Sequence, residues 1–184
     1  MLTDDELYNR YLAGDDSAFD ELIRKYTGRL ILYLNGLTHQ TQDSEDLVIE
    51  TFAALVAKKP TIRPGNFQAY LYRAVRNRAV TLHIFRRKRE VFALDEAQVE
   101  ATQAVRPEDE YLRDEHRQTI NRCLNRIDPE LREALWLVYC EDMTYAQAAA
   151  ILGVNAKKVN HWLTKGKQQM KAELAKEGIT HADK

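Results

Sequence analysis

The side chains whose types and spacing best fit a chemical role lie near the end of the chain, and that role is hydrogen bonding to nucleic acid. The stretch TYAQAAAILG is followed by VNAKKVNHWLTKGKQ, in which Val154, Val159 and Leu163 have the spacing of the inward-facing anchors of a helix-turn-helix. Lys suits phosphate or guanine, and Asn and Gln suit adenine in a major groove. With Gly153 as the turn, the pattern predicts a helix-turn-helix, although an ordinary solvated helix rich in Lys looks the same. The outer face of the second helix carries Lys157, Lys158, Asn160, His161, Thr164, Lys165 and Gln168.

A second candidate is the segment YLYRAVRNRAVTLHIFRRKR, residues 70–89, which holds seven basic residues and no acid. Basic side chains can bind phosphates while interleaved aromatic rings, here Tyr70, Tyr72 and Phe85, stack on unpaired bases. The alternative places the aromatic rings in the core, where we expect Tyr70, and the Arg side chains in water. The positions off the apolar stripe are Arg73, Arg76, Asn77 and Arg86.

A third candidate is the acidic cluster Asp43-Ser-Glu-Asp46, which continues to Glu50. Acids at the start of a helix complement its dipole, and this is the structural interpretation of the cluster. The functional interpretation is a docking patch for a basic partner protein. A metal site is less favoured, because no other acidic ligand set lies nearby in the sequence.

Composition narrows the class of protein. The 184 residues have a net charge of −1, but basic segments at 70–89 and 155–176 flank an acidic one at 90–115. We find no P-loop, GxGxxG motif, catalytic triad or paired His ligands, and so predict a protein that is not an enzyme, with no cofactor and no metal. No apolar run approaches the roughly 18 residues of a membrane span, and the acidic N-terminus lacks a signal peptide. We therefore expect a cytoplasmic protein without membrane insertion, in which Cys123 and Cys140 are buried reduced thiols.

The hydrophobic periodicity predicts an all-α fold of two small helical domains, 1–92 and 108–184, joined by a flexible linker over 93–107. Capping boxes are predicted at Thr3–Glu6 and Thr144–Gln147, and Asp128-Pro129 predicts a helix start with Asp as its cap. A polar break is expected over THQTQDSED, and a loop over KKPTIRPGN. The predicted buried stripe of the first long helix is Phe19, Leu22, Ile23, Tyr26, Leu30, Tyr33, Leu34 and Leu37.

Three stretches, in this order, resemble the bacterial sigma factors of the extracytoplasmic-function (ECF) group. They are DSEDLVIETF, FQAYLYRAVRNRAVTLHIFRRKR and IDPELREALWLVYCEDMTYAQAAAILGVNAKKV, and the resemblance covers roughly residues 5–175. It implies an alternative sigma factor that binds core RNA polymerase and directs promoter recognition, melting and transcription initiation. The alternative interpretation is a stand-alone helix-turn-helix regulator that binds DNA without polymerase.

The resemblance also implies roles for individual residues and partners. The β′ clamp of core polymerase would face Asp43, Glu45, Asp46 and Glu50, and its β flap is a further expected contact. The −10 promoter element would be bound by Arg73, Arg76, Asn77, Arg86, Arg87 and Lys88, and the −35 element by Asn155, Lys157, Lys158, Asn160, His161 and Lys165. The loop Lys59 to Gln68 would lie near a flipped base, and an anti-sigma factor is an expected partner.

The chain departs from the family pattern at several positions. Family members usually carry Ser or Thr at Asn155, Gln at Ile49 and Asp at Thr81, and an Arg is missing from Lys158-Val-Asn-His-Trp162. These differences affect the expected −35 sequence and the polymerase interface. Gly166 inside a helix costs about 1 kcal/mol relative to Ala, which predicts a bend or a close helix approach there.

Overall fold

The computed structural model describes residues 2–38, 40–93 and 114–179, with side chains throughout except at 84–93, 114–118 and 121. Every regular element in these ranges is helical, as predicted. The chain divides into two compact units, Met1–Val105 and Arg106–Lys184. The linker predicted at 93–107 lies outside the described residues, apart from Ala93 at the end of a helix.

The described residues of the first unit form four helices: α1 (Asp4–Leu12), α2 (Asp16–Thr38), α3 (Thr41–Lys58) and α4 (Phe67–Ala93). The capping box predicted at Thr3 is present, because the Thr3 hydroxyl accepts from the Glu6 amide while the Glu6 carboxylate accepts from the Thr3 amide at 2.7 Å. Asp4 on α1 binds Lys25 and the Tyr26 hydroxyl on α2, each at 2.5 Å. These polar contacts attach the short first helix to the long second one.

Apolar side chains from all four helices form the core of this unit, and burying each one fully is worth about 1.5–3 kcal/mol. The predicted α2 stripe is largely confirmed, although Ile23 and Leu37 are only half-buried. On α4 the expected burial of Tyr70 was wrong: Tyr70 is half-buried, and Tyr72 is fully buried. The most deeply buried side chains are Leu22, Tyr26, Leu30, Leu34, Val48, Leu55, Phe67, Leu71, Tyr72 and Val75.

Helix α3 begins at Thr41, inside the polar break expected over THQTQDSED. Its first turn is held by polar contacts: buried Ser44 bonds the Thr38 hydroxyl at 2.8 Å and the Gln40 carbonyl at 3.2 Å. A small polar side chain is thus buried where the periodicity looked only for apolar ones. The acidic cluster consequently lies within the helix rather than ahead of it.

The second unit contains α5 (Asp114–Asn125), α6 (Pro129–Leu135), α7 (Tyr145–Leu152) and α8 (Ala156–Lys176). Pro129 opens α6 as predicted, but the Asp128 side chain makes no capping bond and instead binds α8.

A π-helical turn, Trp136–Cys140, follows α6. In this turn the Glu141 amide donates to the carbonyl of Trp136, five residues earlier, at 3.2 Å. The Glu141 carboxylate also accepts a hydrogen bond from the Trp136 indole at 3.2 Å. The turn buries Leu137 and leaves Tyr139 and Cys140 exposed. The expectation that both thiols are buried is therefore correct for Cys123 and wrong for Cys140, because the extra residue of the π turn rotates Cys140 outward.

Gly166 allows α6 and α8 to pack closely. A Cβ at this position would lie 3.0 Å from Leu135 Cδ1 and 3.4 Å from Leu131 Cβ. The close approach predicted from a glycine inside a helix is confirmed.

Candidate nucleic-acid interface

The helix-turn-helix of the second unit is built by local capping. The Thr144 hydroxyl accepts from the Gln147 amide at 3.2 Å and closes the predicted capping box at the start of α7. Gly153 ends α7 in the left-handed conformation, with φ of 71°, which a residue without a Cβ adopts readily. Asn155 then caps α8 by accepting from the Lys158 amide at 2.8 Å. Both helices and their turn are therefore encoded within a dozen residues.

Burial separates the two faces of α8. Val159 and Leu163 are buried, as are the small side chains of Ala148 and Ala149 on α7. The predicted outer-face residues are all exposed, as a groove-binding helix requires: Lys157, Lys158, Asn160, His161, Thr164, Lys165 and Gln168.

Three of the predicted DNA-binding residues also make internal contacts. The side-chain oxygen of Asn155 accepts the capping bond, so this residue presents its amide nitrogen rather than a full amide edge. The Lys158 ammonium lies 5.4 Å from the centre of the Trp162 ring, a cation–π contact. The Lys165 ammonium lies 3.8 Å from a carboxylate oxygen of Asp128.

Asp128 was not identified as a site residue from the sequence. Its carboxylate accepts from the Gln169 amide at 2.9 Å, and its own backbone amide donates to Gln169 at 3.2 Å. This reciprocal pair joins the start of α6 to the middle of α8 and keeps an anion beside Lys165. Asp128 and Gln169 are 41 residues apart in the sequence, and no local sequence pattern predicts their contact.

The basic face of the first unit lies on α4. Arg73 and Asn77 are exposed, and Arg76 is half-buried. Arg86, Arg87 and Lys88 belong to the same helix, but their side chains lie outside the described residues. Tyr72 is fully buried with its ring 5.1 Å from that of Tyr33, as expected from the alternative that places the aromatic rings in the core, so this ring does not stack on unpaired bases.

A groove between α3 and α4 brings two predicted surfaces together. Its volume is about 470 Å³, and its lining includes Glu50 from the acidic cluster and Asn77 from the basic face. Arg78, which was not among the predicted site residues, spans it with a guanidinium nitrogen 3.4 Å from the Glu50 carbonyl oxygen. One side of this unit therefore carries acidic and basic side chains within a single groove.

The acidic cluster extends along α3. Asp43 is half-buried in the first turn, whereas Glu45, Asp46 and Glu50 are exposed on later turns. A helix-dipole interaction acts within the first turn, so it accounts for Asp43 and leaves the other three unexplained. No group of three metal-ligating side chains occurs within the described ranges.

Beside these acids, an apolar groove of about 640 Å³ lies between α2 and α3. It is lined by Ile31 and Val56, by Ile49, which is 66% exposed, and by Glu45 at its edge. Exposed apolar groups next to carboxylates suit a protein partner better than DNA, whose phosphates the carboxylates would repel.

The loop between α3 and α4 comprises Lys59 to Asn66 and is anchored on α1. The Tyr8 hydroxyl donates to the Pro60 carbonyl at 2.8 Å, and the Asp5 carboxylate accepts from the Gly65 amide. Burial, together with neighbouring Tyr70 and Tyr11, raises the pKa of Tyr8 to about 12, so its hydroxyl remains a donor at neutral pH. Neither Asp5 nor Tyr8 was identified from the sequence.

Comparison with known proteins supplies the family. Residues 22–90 match the family described as Sigma-70 region 2, and residues 117–170 match Sigma-70, region 4. Among relatives, the ECF RNA polymerase sigma factor SigE of Mycolicibacterium smegmatis is 29% identical over 168 residues. The aligned part is 89% of this chain and 65% of that protein. The RNA polymerase sigma-H factor of Pseudomonas aeruginosa is also 29% identical, with 83% of this chain and 85% of that one covered. This chain belongs to the ECF sigma factors.

Solved structures agree with that assignment. The sigma factor RpoE, crystallised with the anti-sigma factor NepR from Bartonella quintana, matches with a TM-score of 0.68 and 25% identity over 85% of this chain and 96% of that one. CnrH, solved with the cytosolic domain of CnrY, has the same fold with a TM-score of 0.62 and 22% identity, over 92% of this chain and 95% of that one.

As an alternative sigma factor, the chain functions in promoter recognition and transcription initiation, a regulatory role. The predicted family and fold class are confirmed. In the part of the chain that the structure describes, no helix is both long and apolar enough to cross a membrane.

Proposed function

We propose that this sigma factor docks on the β′ clamp of core RNA polymerase through the acidic face of α3. The exposed carboxylates of Glu45, Asp46 and Glu50, with half-buried Asp43, would pair with basic side chains of the clamp. Ile49 beside them would add an apolar contact where family members usually carry Gln. Charge complementarity of this kind sets the rate and orientation of docking more than the final affinity.

The basic face of α4 would then bind the −10 element as it melts. Arg73 and Arg76 would bind phosphates, and Asn77 would reach a base edge or the backbone. Arg86, Arg87 and Lys88 would extend the same basic face. Because Tyr72 is buried, base stacking by that ring plays no part in this proposal.

In the second unit, α8 would lie in the major groove of the −35 element. Lys157, Asn160 and His161 are exposed along its outer face and would contact base edges or phosphates. Lys158 and Lys165 would bind phosphates in competition with their contacts to Trp162 and Asp128. Asn155 would donate to the DNA backbone while it caps the helix. The polymerase β flap would hold this unit at the promoter.

An anti-sigma factor is the expected inhibitor, since the similar sigma factor RpoE was crystallised with the anti-sigma factor NepR. It would cover the polymerase-binding or DNA-binding surfaces. The observation that carries the whole proposal is the joint presence of an acidic α3 face, a basic α4 face and an exposed groove-binding helix in one chain.

The deciding experiment is in-vitro transcription with purified protein, bacterial core RNA polymerase and pooled genomic fragments of the source organism. We expect discrete start sites that require both proteins and share two upstream elements. Tight binding to a palindrome without polymerase, and no start sites, would instead identify a stand-alone regulator. Alignment of the start sites would provide the promoter sequence.

A further inference from the structure

The loop from Lys59 to Asn66 is attached to α1 at both of its ends. Near its start, the buried Tyr8 hydroxyl donates to the Pro60 carbonyl at 2.8 Å. The Lys59 ammonium lies 5.0 Å from the centre of the Tyr11 ring, again on α1. At the other end, the Asp5 carboxylate accepts from the Gly65 amide.

The second attachment fixes a specific backbone conformation. The Asn66 amide donates to the Arg63 carbonyl at 3.1 Å, and Gly65 has a φ of 75°. Pro64 and Gly65 therefore occupy the central positions of a type II turn, where Pro and a residue of positive φ are favoured. The Gly65 amide is not the donor of the turn's own hydrogen bond, and Asp5 supplies its acceptor. One carboxylate thus selects the orientation of the central peptide.

Between these attachments stand the groups that could touch DNA. Thr61 and Arg63 are exposed, and the segment from Lys59 to Gln68 contains two basic residues and no acid. The loop leads directly into α4, whose exposed face carries Arg73 and Asn77. Hydrogen-bonding side chains next to a basic helix suit single-stranded nucleic acid.

We propose that Asp5 and Tyr8 of α1 are positioning residues that hold the Lys59–Asn66 loop in the conformation that discriminates bases of the −10 element. This inference rests on the proposed function, because it assigns a task to α1 within the same DNA-binding unit. An unanchored loop would sample many conformations and lose that freedom on binding DNA. Because the anchors hold the loop in place before DNA binds, little conformational entropy is lost on binding. The affinity then depends on how well each base fits the preformed loop.

Two variants test the anchors in the full-length chain. Tyr8→Phe removes only the hydroxyl and leaves the ring packed against Phe67, whose centroid lies 5.1 Å away. Asp5→Ala removes the acceptor of the Gly65 amide. Tyr26→Phe is the control, because it deletes the hydroxyl of a buried tyrosine that donates to Asp4 on α1 rather than to the Pro60 carbonyl. Asp16→Ala is the control for loss of a first-turn acid, here from α2.

Each protein is combined with core polymerase on the promoter mapped as above and on templates with one base changed at each −10 and −35 position. We expect Tyr8→Phe and Asp5→Ala to reduce discrimination about fivefold at one or two −10 positions, as loss of one hydrogen bond permits. Discrimination at −35 and affinity for core polymerase should be unchanged, and both controls should retain the full −10 preference. Hydrogen exchange of the Gly65 amide should accelerate in Asp5→Ala alone.

Unchanged −10 discrimination in both variants would overturn the inference. So would an equal loss of −10 discrimination in Tyr26→Phe, or an equal loss of discrimination at −35 positions in the two test variants. Unaltered Gly65 exchange in Asp5→Ala would remove the proposed anchor itself. If the unaltered chain initiates at no promoter, the proposed function fails first and the inference fails with it. These failures are distinguishable, because the last occurs before any variant is made.

Discussion

Single residues in the helix-turn-helix unit serve the fold and the DNA-binding face together. Asn155 caps α8 with its side-chain oxygen, and Lys165 approaches Asp128 at 3.8 Å. The cap could be predicted, because an Asn at a fixed offset before a helical run is a local signal. The contact between Asp128 and Lys165 could not be predicted from the sequence, because it depends on how α6 and α8 pack.

Reversing two charges on the outer face of α8 should abolish use of the promoter. For Lys157→Glu with Lys158→Glu, we expect at least a tenfold loss of initiation, roughly, because two favourable phosphate contacts become repulsive. In-vitro transcription measures the loss, and binding to core polymerase should persist. Lys171→Glu, a single reversal with half that charge change at an exposed position toward the end of α8, is the control and should be nearly silent. Equal losses in both would indicate a non-specific effect of net charge.

Removing the charge of Asp128 should strengthen −35 binding. Asp128→Asn keeps an acceptor for the Gln169 amide and releases Lys165 for phosphate. We expect a gain of about threefold at low salt that fades at high salt, since surface ion pairs are weak and screened. Fluorescence anisotropy with a −35 duplex and holoenzyme measures it. The gain in −35 affinity should vanish when Lys165→Ala is combined with Asp128→Asn. If the gain persists in that double variant, competition between Asp128 and DNA for Lys165 is not its cause.

At the scale of elements, helix ends were predicted best where their chemistry is local. Both capping boxes, the Gly153 turn and Pro129 follow from residue types at fixed spacing. The start of α3 was missed because its first turn is held by Ser44 and not by an apolar side chain. The π turn was missed because the extra residue that widens it has no distinguishing residue type.

The α1 capping box should make the first helix sensitive to acid. Hydrogen bonds from Thr3 lower the pKa of Glu6 below its usual 4.5. The ionised Glu6 side chain therefore contributes its full stabilisation of the folded state above pH 4.5. This contribution is lost as the pH falls through the lowered pKa that Glu6 has in the folded protein. Glu6→Gln should keep the box, as Gln147 does in α7, and remove this dependence. The protection factors of the α1 amides, which correct the exchange rates for their intrinsic pH dependence, should fall between neutral pH and pH below 4.5 in the unaltered chain and fall less in the variant.

At the scale of the whole molecule, the near-neutral charge hides an alternation that matters for function. The 27 basic and 28 acidic residues almost cancel, yet the exposed face of α8 carries six Lys, and three exposed acids, Glu45, Asp46 and Glu50, follow one another along α3. Either unit alone offers few phosphate contacts, so free protein should bind promoter DNA weakly. Polymerase would raise the effective concentration of each unit at its own element.

Salt dependence should report both units at once. Arg73→Gln should reduce the slope of log affinity against log salt by about 0.7 on single-stranded DNA, and Lys157→Gln by about 0.9 on duplex. In preassembled holoenzyme on a full promoter, the Arg73→Gln and Lys157→Gln double variant should reduce this slope by about 1.6, because each unit is proposed to bind its own promoter element. Arg24→Gln, exposed on α2, is the control and should leave the slope unchanged. A reduction in the double variant no larger than in one single variant would indicate that only one unit contacts DNA.

The π turn gives the molecule a natural labelling site. The chain has two cysteines, and only Cys140 is exposed. Burial of its sulfur, with nearby Glu141 and Asp142, raises the pKa of Cys140, so a maleimide dye should attach slowly at neutral pH and faster under mildly alkaline conditions. The unmutated protein would then carry one fluorophore, on the helix-turn-helix unit, and its loading onto polymerase could be followed in real time by energy transfer.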